Sequence, residues 1–127
     1  LGIEKDGILA EKAARLWLKN KGVNNLQQID WLFKSNKNGN YYCLESKSRE
    51  LYEPPPFFGT GLDITQLKLR LQLLNDLGID TILLVFEKNT NNVYWQFLSI
   101  LEKGRHIDTK NKIRIYDIDN FNKEESC

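Results

Sequence analysis

The chain has 127 residues, 41% of them hydrophobic and 28% charged, with a formal net charge of +1. That length suits one domain with one core, and the composition is that of a folded globular protein rather than a disordered or disulfide-rich one. A single histidine, His106, and two cysteines, Cys43 and Cys127, exclude a clustered zinc site and suggest reduced thiols, and no apolar run reaches the roughly eighteen residues of a membrane span. The first residues mix acidic and basic side chains in a helical pattern unlike a signal peptide, so a cytoplasmic protein is expected.

In chain order, Glu4 to Lys21 places Leu9, Ala13 and Leu16 at helical spacing with Trp17 beside them, and Gly22 stands where a helix stops. Ile29, Trp31 and Phe33 alternate with Asp30 and Lys34, which predicts a strand. Ser35 to Asn40 is turn chemistry, and Tyr41 to Lys47 is a second strand, so the two should pair as a hairpin. Ser48 to Gly61 contains Pro54-Pro55-Pro56 and is predicted as an irregular loop, long enough to suggest a function. Leu67, Leu71, Leu74 and Leu77 mark a helix from about Asp63 to Leu77, closed by Gly78. Ile79 to Phe86 reads as a buried strand. Asn89 to Asn92 turns the chain into a strand over Val93 to Phe97, and Leu98 to Lys103 suits one or two helical turns. Ile113 to Tyr116 reads as a last edge strand, and the polar tail from about Asn120 should fray. No repeat or linker divides residues 1–127. This order predicts an α/β domain with a mixed sheet flanked by helices, the second helix crossing over so that the next strand lies parallel to one hairpin member.

The chemistry gathers at Glu45-Ser46-Lys47. Side chains alternate across a strand, so Glu45 and Lys47 share a face, and Asp30 on the neighbouring strand reaches the same sheet edge in the right register. Magnesium takes one or two carboxylates with water and phosphate oxygens, which Asp30, Glu45 and the backbone carbonyl of Ser46 can begin to supply. A lysine beside a metal-bound water helps hold and deprotonate it, or faces the charge that grows on phosphorus. Chance alone supplies roughly two acid-x-Lys matches in such a chain. The other, Asp108-Thr109-Lys110, lies in a polar turn with no acidic strand ahead of it. The competing account of Glu45 and Lys47 is an exposed pair on a solvated sheet face, with Asp30 as surface polarity.

Asp30 followed by Glu45-x-Lys47 on the next strand resembles the PD-(D/E)XK nuclease superfamily over about Glu4 to Phe86. The resemblance implies a restriction-endonuclease-like αβββαβ core, here with extra C-terminal strands, and a three-stranded meander carrying the acid and the Glu-x-Lys. Gln66 resembles the glutamine that some branches place beside the metal. Glu11 resembles the first-helix glutamate of the Holliday-junction-resolvase-like branch, which makes it a further metal-ligand candidate. Each has a second reading. Asp63-Ile64-Thr65-Gln66 has capping-box spacing, so Gln66 would serve a helix start, and Glu11 would be one solvated charge among several. Ile29 stands where the pattern often has proline, and Glu53 and Asp63 compete with Glu11 as the additional acid.

The function these residues imply is a Mg²⁺-dependent DNA endonuclease, with Mn²⁺ able to substitute. Asp30, Glu45, Lys47 and Gln66 would be its catalytic residues, and the resemblance implies products with 5′-phosphate and 3′-hydroxyl ends. Arg49, Lys68 and Arg70 are the candidate DNA contacts beside the site. Arg105, Lys110, Lys112 and Arg114 form a second basic stretch, better read as a charged edge strand. Cutting both strands needs two sites, so a homodimer or higher oligomer is expected, with no membrane partner. The alternative is a non-cleaving nucleic-acid-binding or assembly module on the same fold.

Overall fold

Two hydrophobic patterns meet on one strand pair. Along Tyr41–Arg49 and Asp80–Glu87 the buried positions alternate, so Cys43 and Glu45 face inward beside Thr81, Leu83 and Val85. These are strands β2 and β4 of a computed structural model that describes residues 2–23, 29 and 31–125. Asp30 and Cys127 lie outside the described residues.

The chain begins with helix α1 (Gly2–Asn20), followed by β1 (Trp31–Lys34), which turns back antiparallel onto β2. Strand β3 (Gly59–Asp63) leads into helix α2 (Ile64–Leu77), which crosses over so that β4 lies parallel to β2, with Glu45 opposite Leu83 and Lys47 opposite Val85. Then come β5 (Asn92–Phe97), the short helix α3 (Leu98–Leu101), β6 (His106–Asp108), β7 (Ile113–Asp117), a 3₁₀ turn at Ile118–Asn120 and β8 (Asn122–Glu125). The expected order of helix, three strands, helix and strand is present, as are the mixed sheet and the crossover.

The sheet itself departs from expectation. Strands β1-β2-β4-β5-β8 form one mixed sheet, while β3, β7 and β6 form a second antiparallel one. The third strand therefore leaves the hairpin instead of completing a meander beside it. The segment predicted as a loop through Gly61 ends in β3 because Gly59 and Gly61 let the backbone lie flat against β7. A Cβ at Gly61 would land inside the Arg114 carbonyl oxygen. Strand β7 is the centre of its sheet rather than an edge, since β6 covers its other side. The tail from Asn120 does not fray: β8 pairs with β5, Trp95 opposite Asn122. Its polar residues suit an exposed edge strand, where alternation need not be apolar.

The core lies on one side of the larger sheet. Leu83, Val85 and Tyr94 from β4 and β5 pack with Leu62, Leu67, Leu98, Leu101, Tyr116 and Phe121 from the elements above them. Each buried leucine or valine contributes roughly 1.5–3 kcal/mol. Helix α2 is held at both ends. The Asp63 carboxylate accepts the Thr65 and Gln66 backbone N–H groups at 2.8 and 3.2 Å, and Gly78, at φ 69°, donates its N–H to the Leu74 carbonyl. This fixes which α2 side chains point down onto β2.

Candidate functional site

Gln66, Arg70 and Leu73 fall on one stripe of α2, and that stripe faces β2. Arg70 and Leu73 are buried there. Glu45 comes up to meet the stripe and is itself only 2% exposed. Gln66 Nε2 donates to Glu45 Oε2 at 2.8 Å, and Arg70 Nε lies 3.0 Å from Glu45 Oε1. Both side chains of the ion pair are 3% exposed. A carboxylate this deep in the protein requires a cation and hydrogen-bond donors, and one helical turn supplies both. The reading of Glu45 as solvated surface charge is thereby overturned.

The same geometry separates the two readings of Gln66. Asp63 caps the helix through its own carboxylate, while the Gln66 side chain is turned to Glu45. Its backbone serves the cap and its amide serves the site.

Two positions further along β2, Lys47 is partly exposed on the face of Glu45, and Arg49 follows it on that face. No ion pair ties Lys47 to a described carboxylate. Arg49 Nη1 is enclosed with no hydrogen-bond acceptor among the described residues. Buried guanidinium nitrogens are costly to leave unmatched, so this stretch of β2 suits an anion. Cys43, one step the other way on the same face, is a buried thiol whose pKa burial pushes up, against the lowering influence of Arg70.

The other candidates fall elsewhere. Glu11 is half exposed on α1 and sits 3.7 Å from Arg15 one turn on, as a surface pair would. Lys68 is exposed on α2, and its charge acts on Asp108. Arg70, expected to contact DNA from the surface, is instead interior and bound to Glu45. Glu53 lines a cavity of about 360 Å³ with Glu50, Leu51, Phe58, Glu87, Lys88 and Asn89, beyond the ends of β2 and β4. Asp63 is occupied as the α2 cap.

In the second basic stretch the two arginines are paired with carboxylates. Arg114 reaches Asp108 at 2.7 Å and Glu102 at 2.7 Å, which keeps its guanidinium firmly charged, and Tyr116 also donates to Glu102. The hydrogen bond from Arg114 holds Asp108 below the usual carboxylate range. Arg105 pairs with Asp117 through Nε at 2.9 Å and lies over the Phe57 ring. These contacts tie both arginines into the smaller sheet, while Lys110 and Lys112 remain exposed beside it.

As for a divalent cation, an ionised carboxylate offers about four lone-pair directions, and on Glu45 Gln66 meets one oxygen and Arg70 the other. It is a single carboxylate whose charge Arg70 already balances. Among the described residues no group of three or more His, Cys, Asp or Glu gathers to hold a metal. Magnesium binds through as few as one or two carboxylates with water, so the donor chemistry fits if a second acid joins Glu45.

No family model matches the chain, and no curated protein or solved structure matches it either. Among the described residues no helix is long and apolar enough to cross a membrane.

Proposed function

We propose that this chain is a Mg²⁺-dependent DNA endonuclease on a restriction-endonuclease-like fold, with Mn²⁺ able to substitute, acting as a homodimer or higher oligomer. The observation that carries the reading is the convergence on Glu45. The acid of a Glu-x-Lys strand is fixed in orientation by a glutamine from the crossover helix, with Lys47 and then Arg49 next along the same face. A surface ion pair needs none of this.

In this reading Asp30 and Glu45 hold the cation, with the Ser46 carbonyl as a further oxygen. When bound, the cation supplies positive charge beside the scissile phosphate and acidifies a water. Gln66 and Arg70 hold Glu45 in its orientation. Lys47 orients the attacking water and faces the charge that grows on the phosphate, and Arg49 binds a non-bridging oxygen. The new bond joins water oxygen to phosphorus. The bond to the 3′-oxygen breaks, water gives up one proton and the leaving oxygen gains one, so the ends are a 5′-phosphate and a 3′-hydroxyl.

One observation favours a second reading, a non-cleaving nucleic-acid-binding module: Arg70 already balances the charge of Glu45, as in a purely structural buried pair. The deciding experiment is incubation of labelled linear duplex, supercoiled plasmid, single strand and four-way junction with Mg²⁺, Mn²⁺ or EDTA, using the parent and Lys47→Ala. Metal-dependent cutting that disappears in Lys47→Ala is expected. Folded protein that binds these DNAs and cuts none of them would establish the module instead.

A further inference from the structure

The larger sheet has a second face that carries no core. Alternation puts Trp31, Leu44, Ile82 and Phe97 on it, and the register makes them successive cross-strand neighbours: Trp31 opposite Leu44, Leu44 opposite Ile82, Ile82 opposite Phe97. Leu84 and Trp95 extend this band on one side, and Phe33 and Tyr42 on the other, with Phe33, Tyr42, Phe97 and Trp95 in a chain of ring contacts. Trp31 is 61% exposed, and Phe33 and Phe86 on the same face are also exposed. An apolar band that runs across four strands, partly exposed along its length and well exposed at Trp31, has the character of a contact surface.

The chain carries one element of matching character that is equally unoccupied. Helix α1 has its apolar stripe at Leu9, Ala13, Leu16 and Trp17, and Leu9, Leu16 and Trp17 are 55–60% exposed. An amphipathic helix of 19 residues with its apolar side in water is not stable by propensity alone. Among the described residues, the apolar side of this helix and the sheet face around Trp31 are both left uncovered.

We infer that α1 docks on the open sheet face of a second copy of this chain, by a reciprocal exchange about a twofold axis. Each copy then gives a helix and receives one, so both unpartnered surfaces are covered twice over by a single self-complementary contact. Aromatic side chains cover roughly 150–250 Å² each when buried. Leu9, Leu16, Trp17 and Trp31 are each more than half exposed and the rest of the band is partly exposed, so two such contacts would bury on the order of 1,200 Å², the lower end of a specific interface. The pairing depends on apolar matching only, and holds whether or not the chain cleaves DNA.

The test is the molar mass of the full chain by light scattering at micromolar concentration, for the parent, Trp17→Lys and Trp31→Lys. Both substitutions change exposed positions on the two partner surfaces. Twice the 14.9 kDa of one chain is expected for the parent, falling twofold in each variant with the circular dichroism spectrum retained. A monomeric parent, or a dimer that survives both substitutions, would overturn the exchange. To distinguish exchange from α1 folding onto its own sheet, copies carrying Trp17→Cys are mixed and refolded with copies carrying Leu84→Cys, both with Cys127→Ser. A disulfide-linked dimer formed only in the mixture supports exchange. A chain carrying both cysteines that closes on itself as a monomer overturns it.

Discussion

Gln66 Nε2 and Glu45 Oε2 lie 2.8 Å apart, a contact that joins residues 21 positions apart in sequence. It forms because α2 packs against β4, close enough for its side chains to reach the adjacent β2, and it turns a helix-start residue into the partner of a strand carboxylate. Replacing Gln66 with alanine removes one donor from a buried carboxylate and should cost about 1.5–3 kcal/mol in urea unfolding. In the proposed nuclease, Mn²⁺ affinity measured by calorimetry should fall about 10–100-fold, the usual consequence of losing a residue that orients a metal ligand. An unchanged affinity with only the stability loss would make Gln66 a structural residue.

The Glu45–Arg70 pair should behave as a buried ion pair, since both side chains are 3% exposed. Glu45→Leu or Arg70→Met alone removes the charge partner from a buried ion and should destabilise by about 3–5 kcal/mol. The double variant Glu45→Leu with Arg70→Met should be closer to the parent than the sum of the singles, because no charge is then left in the interior. Additive losses in a denaturation double-mutant cycle would show that the two side chains do not act as a pair.

Gly61 should tolerate no side chain. Its Cβ would meet the Arg114 carbonyl of β7 and the backbone of Ile115, neither of which is a flexible group able to move aside. Gly61→Ala should therefore cost about 2–4 kcal/mol by forcing β3 away from β7. Gly7→Ala is the control, since its added Cβ meets nothing within 4 Å. Equal melting temperatures for the two variants would contradict the close strand approach.

Acid should loosen the smaller sheet through Asp117. Burial raises its pKa, but the Asp119 backbone N–H and Arg105 together outweigh that and hold the carboxyl below its ordinary value of 3.8. A carboxylate with a depressed folded pKa contributes stability that is present above its unfolded pKa and lost as the pH falls through the folded one. The melting temperature of the parent should drop between about pH 5 and pH 2, and that of Asp117→Asn should drop less over the same interval. Because Arg105 is 62% exposed, solvent screens part of the effect and the difference should shrink in high salt. Parallel pH curves for the two proteins would rule Asp117 out.

Local pattern determined much of this protein. Period-two alternation and turn residues gave the β1–β2 hairpin, the leucine spacing between Asp63 and Gly78 gave α2 with both its ends, and that crossover helix implied a next strand parallel to one hairpin member, which the fold shows to be β2. Glu45, Lys47 and Gln66 stood out because each combined a residue type with a predictable place on an element. What sequence could not decide were relations set by packing between distant segments. Two glycines and three prolines made the approach to β3 look like a loop, because a backbone that lies flat on another strand gains its stability from β7, which comes some fifty residues later. Strand β8 is polar on both sides and shows no alternation, so only pairing with β5 reveals it. Arg70 read as a surface cation because arginine usually is one. The available signal was that Gln66, Arg70 and Leu73 share a helix face, but a helical stripe does not say what lies beneath it. Only the fold places Glu45 there, and a carboxylate in a low-dielectric interior is what makes a buried arginine stable.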